Sequence, residues 1–262
     1  MKKNYFSYIW RLFTTAVCYT TFAIGAAVLA LVIFPMQRLF WKDAEMRKSI
    51  ARRTVHFAFK YFIGLMKYTG TSKFIIENEN QLKGLKGHLI LANHPSLIDV
   101  VVLISIVPNA DCVVKAHLFR NPIMKHVLKS TGYISNADPE GLLNDCKRSL
   151  DLGNNLIIFP EGTRTTPGEK IKFLRGAANI ALRCDAKLQT VLLKMEPSTL
   201  TKNEKWYKVP PRRMNFFLKP LSQSVELSGS VEDGLTKRCR SLTKQLENFF
   251  QEHLENYERI KN

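Results

Sequence analysis

Residues 87 to 99 read Gly-His-Leu-Ile-Leu-Ala-Asn-His-Pro-Ser-Leu-Ile-Asp, and this stretch decides the fold. The apolar run from Leu89 to Ala92 predicts a short buried strand. Pro95 suits the first position of a following helix, because the amide that proline lacks would have no partner there. A proline also keeps the residue before it extended, so we expect His94 at or beside the helix N-cap. The stretch therefore predicts a strand that turns into a helix around His94 and Pro95.

The predicted turn decides whether His94 and Asp99 can meet. In one continuous helix, residues five apart point in directions about 140° apart, but a His94 outside the helix can fold its ring back towards Asp99. A carboxylate on one ring nitrogen fixes the tautomer, and the other nitrogen can then take a proton from a substrate hydroxyl. The alternative is structural: His94 caps the helix, and Asp99 interacts with its amino-terminal amides.

A second strand-and-turn pattern lies at residues 154 to 164. Asn-Asn-Leu-Ile-Ile-Phe at residues 154 to 159 predicts another buried strand, and Pro-Glu-Gly-Thr-Arg follows at residues 160 to 164. The His94–Asp99 turn and the Phe-Pro-Glu-Gly-Thr-Arg run, in this order, resemble the glycerolipid acyltransferase family, whose best-known members acylate lysophosphatidic acid. The resemblance extends over roughly residues 70 to 220, and the ordered pair of motifs is far more specific than either alone.

The resemblance implies direct acyl transfer from a thioester of CoA or acyl carrier protein to a lysolipid hydroxyl, that of 1-acylglycerol-3-phosphate first of all. His94 is implied as the general base and Asp99 as the residue that orients it. Amides at the helix start near His94 are expected to help stabilise the oxyanion. Cys112 and Ser96 are poor candidates for a covalent nucleophile, since neither lies in a nucleophile-elbow sequence. The residues implied to bind the acceptor, with the arginine on its phosphate, are Glu161, Gly162, Thr163 and Arg164.

Residues 115 to 122, Lys-Ala-His-Leu-Phe-Arg-Asn-Pro, resemble a third block of the family, which lines the acceptor site. The substrate-binding residues that this block implies are Lys115, Leu118 and Pro122. The chain departs from the family pattern nearby: Lys125 stands where a glycine is usual, and the usual arginine is missing near Asn136. Thr190 stands where family members place a proline. These departures concern the recognition of the acceptor.

The composition favours anionic partners. With 39 Lys and Arg against 22 Asp and Glu, the net charge is +17, which suits a membrane surface, a nucleic acid or a CoA-like substrate. No nucleic-acid-binding module is recognisable, so we expect membrane lipids and acyl-CoA or acyl carrier protein as partners, and no nucleic acid. The five cysteines lack metal-ligand spacing, which predicts free thiols, no metal site and no cofactor besides the thioester co-substrate.

The amino-terminal region predicts a membrane anchor. No charged residue occurs from Leu12 to Gln37, a length that can cross a hydrocarbon core and exceeds the apolar part of a signal peptide. More basic residues follow this segment than precede it, so we expect the catalytic domain on the cytoplasmic side of the cell inner membrane. Pro35 and several threonines leave open a segment that dips into one leaflet instead.

Residues 43 to 68 have the spacing of an amphipathic helix with interleaved basic residues, among them Arg52 and Arg53. Two interpretations stay equally open: the basic residues face lipid headgroups, or the helix packs on the domain with a solvated basic face. We divide the chain into a membrane-anchoring helical region, residues 1–69, and an acyltransferase domain, residues 70–262.

Strands and helices alternate from residue 70 to residue 220. This order predicts an α/β fold, with a mixed, largely parallel sheet flanked by helices and the active site at strand ends. A last amphipathic helix is predicted from Ser230 to about residue 257.

Three alternatives remain for the function. In the first, the acceptor is another envelope lipid, such as a lyso-ornithine lipid or a glycolipid intermediate. A second alternative is a membrane lipid-binding protein without turnover, against which the intact His94–Asp99 pair argues. The third is a basic nucleic-acid binder at the membrane, which would bind DNA in a strongly salt-dependent way.

Overall fold

The computed structural model describes residues 5–166, 168–202, 204–222 and 234–261. Its strands are β1 Ser72–Ile76, β2 His88–Ala92, β3 Ala110–Val114, β4 Ile134–Ser135, β5 Asn155–Ile158, β6 Lys187–Glu196 and β7 Met214–Leu221. Its α-helices are α1 Tyr5–Val28, α2 Phe34–Phe40, α3 Ala44–Tyr68, α4 Glu79–Lys83, α5 Asp99–Ile106, α6 Pro122–Thr131, α7 Pro139–Asp151, α8 Arg175–Arg183 and α9 Leu235–Lys261. A π-helical turn, Leu29–Ile33, joins α1 to α2, and a 3₁₀ turn, Ala116–Arg120, precedes α6.

The strands form one sheet in the order β1-β7-β6-β2-β5-β3-β4. Neighbouring strands are parallel except β6 and β7, which are antiparallel, so β1 and β7 run opposite to the others. The prediction of a mixed, largely parallel sheet flanked by helices is confirmed. Side chains of β2 alternate between two cores: Ile90 packs in the core that includes α3, α5 and α6, and Leu89 and Leu91 pack with α7, α8 and α9.

The first two helices lie along α3. The apolar run Tyr5–Phe40 passes from α1 through the π-helical turn into α2, and it is long and apolar enough to cross a membrane. Its direction is opposite to that of α3, because Gln37 donates a hydrogen bond to Thr54 while Trp10 donates one to the carbonyl of Thr69. Residues of all three helices belong to the core that also holds β2. The division of the chain near residue 70 stays a prediction.

Arg52 of α3 is buried, so the interpretation that it faces lipid headgroups is wrong. Its Nη1 donates to Asp111 Oδ1 at 2.7 Å, and its Nε donates to Asn109 Oδ1 at 2.8 Å. A buried charge requires a partner and hydrogen bonds, so this network holds α3 against the loop before β3. Burial raises the pKa of Asp111, and the Arg52 guanidinium acts against that rise. The opposite face of α3 exposes Phe57 and Tyr61.

The helix after the His94 turn begins later than predicted. α5 starts at Asp99, so the prediction that Pro95 occupies the first helical position is wrong. The reason is that the Asp99 carboxylate accepts hydrogen bonds from the amide and the hydroxyl of Ser96, which close a turn before the helix starts. The short helix α4 was not predicted. The predicted start of the last helix at Ser230 lies outside the described residues.

Candidate active site

The His94 ring lies in the turn after β2, against Asp99 and Phe159. Its Nδ1 is 2.7 Å from Asp99 Oδ2, so the predicted pairing of these side chains is confirmed. The ring stacks on Phe159, which follows β5, with centroids 4.2 Å apart and planes at 22°. β2 and β5 are parallel neighbours, which brings both turns to one edge of the sheet. These two contacts fix the ring and leave Nε2 open to a substrate.

The Asp99 carboxylate is fully buried and accepts three hydrogen bonds. Besides the His94 ring, the Ser96 amide donates at 2.7 Å and the Ser96 hydroxyl at 2.6 Å. Burial raises the pKa of Asp99, and the hydrogen bonds from His94 and Ser96 lower it in part. When Nδ1–H is donated to Asp99, Nε2 is the basic nitrogen. The alternative in which His94 caps the helix is wrong, because Ile98 is the N-cap residue.

Two amides that were expected to face an oxyanion are already bound. The Ser96 amide donates to Asp99, and the Leu97 amide donates to the Leu200 carbonyl at 3.1 Å. The expectation that the amides at the helix start stabilise the oxyanion is therefore wrong for these two residues, because the turn uses both N–H groups for its own closure.

Neither candidate for a covalent nucleophile is in a state to react. Ser96 is fully buried and donates its hydroxyl to Asp99. Burial, together with the neighbouring Asp111, raises the pKa of the Cys112 thiol to about 12, so this thiol stays protonated at neutral pH. The geometry thus favours a direct transfer over an acyl-enzyme at either position.

Glu161 joins the two turns, and its carboxylate is buried. Its Oε1 accepts a hydrogen bond from the His94 backbone amide at 2.7 Å, and its Oε2 accepts one from the Thr165 hydroxyl. The Thr165 amide in turn donates to the His94 carbonyl at 2.8 Å. Burial raises the pKa of Glu161, and the hydrogen bonds from Thr165 and His94 lower it in part. Both its oxygens therefore hold the His94 turn in place, and contact of Glu161 with the acceptor stays a prediction.

Gly162 shapes the second turn in the way the sequence predicts. Its φ is +65°, a region that favours glycine, and its amide donates to the Phe159 carbonyl at 3.0 Å. A Cβ atom at this position would lie 2.7 Å from Leu174 Cδ1. Thr163 follows in the same bend and is half-buried. A side chain at residue 162 would therefore displace the turn that carries Phe159.

Arg164 is half-buried and partly engaged by the backbone. Its Nη1 donates to the carbonyls of Leu200 and Thr201, at 2.8 and 3.0 Å. It also lies within electrostatic range of Tyr19 on α1. A guanidinium carries five N–H donors, and among the described residues only the Nη1 group of Arg164 has hydrogen-bond acceptors.

The structure separates the three residues of the third block. Leu118 is half-buried and lines an apolar cavity. Lys115 is exposed at the start of the 3₁₀ turn, and Pro122 is exposed as the first residue of α6, after the capping residue Asn121. Substrate contacts of Lys115 and Pro122 stay a prediction. A proline at this helical position has a local explanation, because its missing amide would have no partner there.

The apolar cavity lies beside the His94 turn and has a volume of about 330 Å³. This volume falls within the range of about 300 to 1,000 Å³ that is usual for ligand pockets. Leu97 and Ile98, between the His94 turn and α5, line it, and Tyr19 and Phe22 of α1 form part of its wall. The other lining residues come mainly from α3, α5, α6 and the segment around residues 199–214.

Comparisons with known proteins agree with the motifs that frame this site. A profile of the Acyltransferase family matches residues 73–194. This part of the chain is therefore similar to the Acyltransferase family. It is 40% identical over 112 residues to the 1-acyl-sn-glycerol-3-phosphate acyltransferase of Helicobacter pylori (strain J99), covering 40% of this chain and 47% of that protein. It is 24% identical over 177 residues to the chloroplastic 1-acyl-sn-glycerol-3-phosphate acyltransferase BAT2 of Brassica napus, covering 66% of this chain and 52% of that protein.

The chain spans about half the length of these two curated relatives. Its fold is similar to the crystal structure of the 1-acyl-sn-glycerophosphate acyltransferase PlsC from Thermotoga maritima. The TM-score is 0.64 at 17% identity, and the match covers 92% of this chain and 95% of the other. The similarity therefore extends over most of both chains.

Several supporting residues were missed in the sequence. Asn93 exchanges two hydrogen bonds of 2.8 Å with the backbone of Leu193 and so ties the His94 turn to β6. The His94–Asp99 pair is held by Ser96 and Phe159, and the turn after β5 is held by Thr165. All of them lie within or directly beside the two motifs, so their position was the available signal. The wall that α1 contributes had no such signal, because α1 lies far from both motifs in the sequence.

Proposed function

We propose that this chain transfers an acyl chain from a thioester, of CoA or of acyl carrier protein, to the hydroxyl of 1-acylglycerol-3-phosphate. The observation that carries the proposal is the His94–Asp99 pair, fixed at 2.7 Å beside an apolar cavity. The curated relatives named above are 1-acyl-sn-glycerol-3-phosphate acyltransferases, and their names support the choice of acceptor.

In the proposed reaction the lipid hydroxyl is the nucleophile. His94 Nε2 takes the hydroxyl proton as the oxygen attacks the thioester carbonyl, and Asp99 supports the imidazolium that forms. The tetrahedral intermediate then releases the thiolate, which receives the proton from Nε2. An ester bond forms, a thioester bond breaks, and the histidine returns to its starting state. The acyl chain occupies the apolar cavity during these steps.

Arg164 is the proposed contact for the acceptor phosphate. The N–H groups that it does not donate to Leu200 and Thr201 suit a phosphate, because arginine presents paired donors. Gly162 acts indirectly in this proposal, since it shapes the turn that Arg164 follows, and Glu161 holds the His94 turn. Thr163 stays a proposed neighbour of the acceptor.

Membrane association is part of the proposal, with the catalytic domain on the cytoplasmic side of the inner membrane. The run Tyr5–Phe40 contacts the rest of the protein from Trp10 to Gln37. A perpendicular span would draw these partner helices into the hydrocarbon, where polar groups are costly. We therefore favour a placement in one leaflet, with the exposed apolar face of this run, which includes Phe13 and Leu31, towards lipid.

The test is a turnover assay with purified full-length protein in detergent. Wild type is incubated with lysophosphatidic acid and acyl-CoA or acyl carrier protein, and both free thiol and phosphatidic acid are measured. Equal formation of the two products, absent with folded His94→Ala protein, would support the proposal. A preference for a lyso-ornithine lipid or a glycolipid would change the acceptor. Binding of lipid without any thiol release would contradict the enzymatic function.

A further inference from the structure

A second cavity lies on the other face of α6. Val127 and Leu128 of this helix line the apolar cavity, whereas Lys125 and Lys129, one turn apart, line a separate cavity of about 400 Å³. Its remaining walls come from α2 and the first half of α3. We call it the basic cleft, and its basic residues are Arg38, Arg47, Lys48, Lys125, His126 and Lys129.

The basic cleft concentrates positive charge. Its lining holds five lysines and arginines and no aspartate or glutamate within the described residues. Of these cations, Lys48 is paired with a carboxylate, that of Glu45 at 3.2 Å, which also binds Arg148 at 2.8 Å. For Arg38, Lys125 and Lys129 the described part of the chain provides no ion pair. Cations gathered around one open space repel each other, so an anion bound there would be favourable.

The basic cleft is distinct from the candidate active site. Arg52, one turn after Lys48 on α3, bonds to Asn109 and Asn154, which lie just before the amino ends of β3 and β5. His94 follows the carboxyl end of β2, which is parallel to β5. The cleft therefore lies towards the opposite edge of the sheet from His94.

Exposed apolar side chains flank the basic cleft. Met36, Leu39 and Phe40 are 49%, 79% and 71% exposed, and Arg38 stands between them in the sequence. Apolar side chains beside cations are typical of a segment at the headgroup boundary of a bilayer. A free anion would need no such apolar rim.

We propose that the basic cleft binds the phosphate of an anionic membrane-lipid headgroup. This proposal rests on the membrane association proposed above but not on acyl transfer. Lysine and arginine together hold a phosphate by charge and by hydrogen bonds, and the apolar rim accounts for the lipid that carries it. The lipid bound there is neither the acceptor nor the donor, since His94 is at the other sheet edge.

The test compares two charge-matched double variants of the full-length protein. Lys125→Gln with Lys129→Gln removes two cations of the basic cleft. The control, Lys86→Gln with Lys187→Gln, removes two exposed cations outside it. Partition onto vesicles of phosphatidylcholine, with and without phosphatidylglycerol, is measured by flotation. Phosphatidylglycerol is used because it is neither the proposed acceptor nor the product.

We expect the cleft variant to bind the anionic vesicles about tenfold or more weakly, since each basic residue at an anionic surface adds to the affinity. The control variant should lose no more than about threefold, as expected for a screened, diffuse charge. Binding to pure phosphatidylcholine should change in neither variant. Thermal unfolding of both variants checks that they are folded.

Equal weakening of the two variants would overturn the proposal in favour of the overall charge, and no weakening of either would overturn it outright. Release of wild type from vesicles by inorganic phosphate at constant ionic strength would show that the site takes the free anion instead, and would overturn the lipid as its ligand. The turnover assay is a separate readout: a protein that floats as expected but shows no transfer would contradict only the proposed enzymatic function.

Discussion

Replacing Glu161 by glutamine and by alanine separates support of the His94 turn from binding of the acceptor. Glutamine keeps an oxygen that accepts from the His94 amide but carries no charge. Loss of the charge should weaken this hydrogen bond by about 1 kcal/mol, the difference between charged and neutral hydrogen bonds. Alanine removes both acceptors: the His94 amide is left without a partner, and the Thr165 hydroxyl keeps only its longer hydrogen bond to the His94 carbonyl, at 3.4 Å. An unpaired buried donor and a lost hydrogen bond together cost about 2 to 4 kcal/mol.

These energies set the expected loss of rate. If displacement of the His94 ring adds the whole of each energy to the activation barrier, kcat falls roughly fivefold for Glu161→Gln and about 30- to 800-fold for Glu161→Ala. The acceptor KM should stay within about twofold, since a role restricted to the turn does not touch ground-state binding. Steady-state kinetics with lysophosphatidic acid and with phosphate-free monoacylglycerol measures both parameters.

The graded loss in kcat should be the same for both acceptors. The reasoning is refuted if the acceptor KM rises while kcat is kept, or if glutamine is as harmful as alanine. Either result would mean that the carboxylate itself meets the acceptor. Thermal unfolding of each variant separates a displaced turn from a protein that no longer folds.

Three further predictions concern other parts of the chain. His94→Ala should lose at least about 10²-fold in transfer rate, the usual contribution of a general base, and folded protein with near-normal turnover would contradict this role. Arg164→Lys should weaken the use of lysophosphatidic acid by roughly tenfold or more, as expected for a lost charge-assisted bond, and equal weakening with monoacylglycerol would exclude the phosphate contact. Arg52→Ala should lower the free energy of unfolding by about 3 to 5 kcal/mol, because Asp111 stays buried without its partner. Denaturant unfolding should show a smaller loss at acid pH, since Asp111, with its pKa raised by burial, then takes up a proton and loses its charge.

The sheet and the histidine turn were predictable because local patterns determine them. Leu89 to Ala92 form a strand buried on both faces, and an apolar run between turn residues already indicates such a strand. The pairing of His94 with Asp99 follows from the proline-containing turn. The helix start was less predictable, because a side-chain carboxylate competes with the backbone for the Ser96 amide.

The contacts between distant segments could not be predicted from local patterns. Arg52 looks like any basic residue on an amphipathic helix until Asp111 is brought to it from another part of the chain. Glu161 has the character of a ligand-binding acid, yet its partner is a backbone amide 67 residues away. A backbone amide as partner cannot be identified from the sequence, since every residue except proline has one.

The wall of the apolar cavity has a consequence for how substrate enters and leaves. α1 presents Tyr19 and Phe22 to the cavity and carries Phe13 on its exposed side, and Leu31 of the π-helical turn that follows is exposed as well. Under the proposed function, one helix thus separates bilayer from cavity, and an acyl chain can exchange between them sideways. A chain that instead crossed water would pay about 0.8 kcal/mol for each methylene. Exchange through this wall would make the residence time of substrate and product nearly independent of chain length.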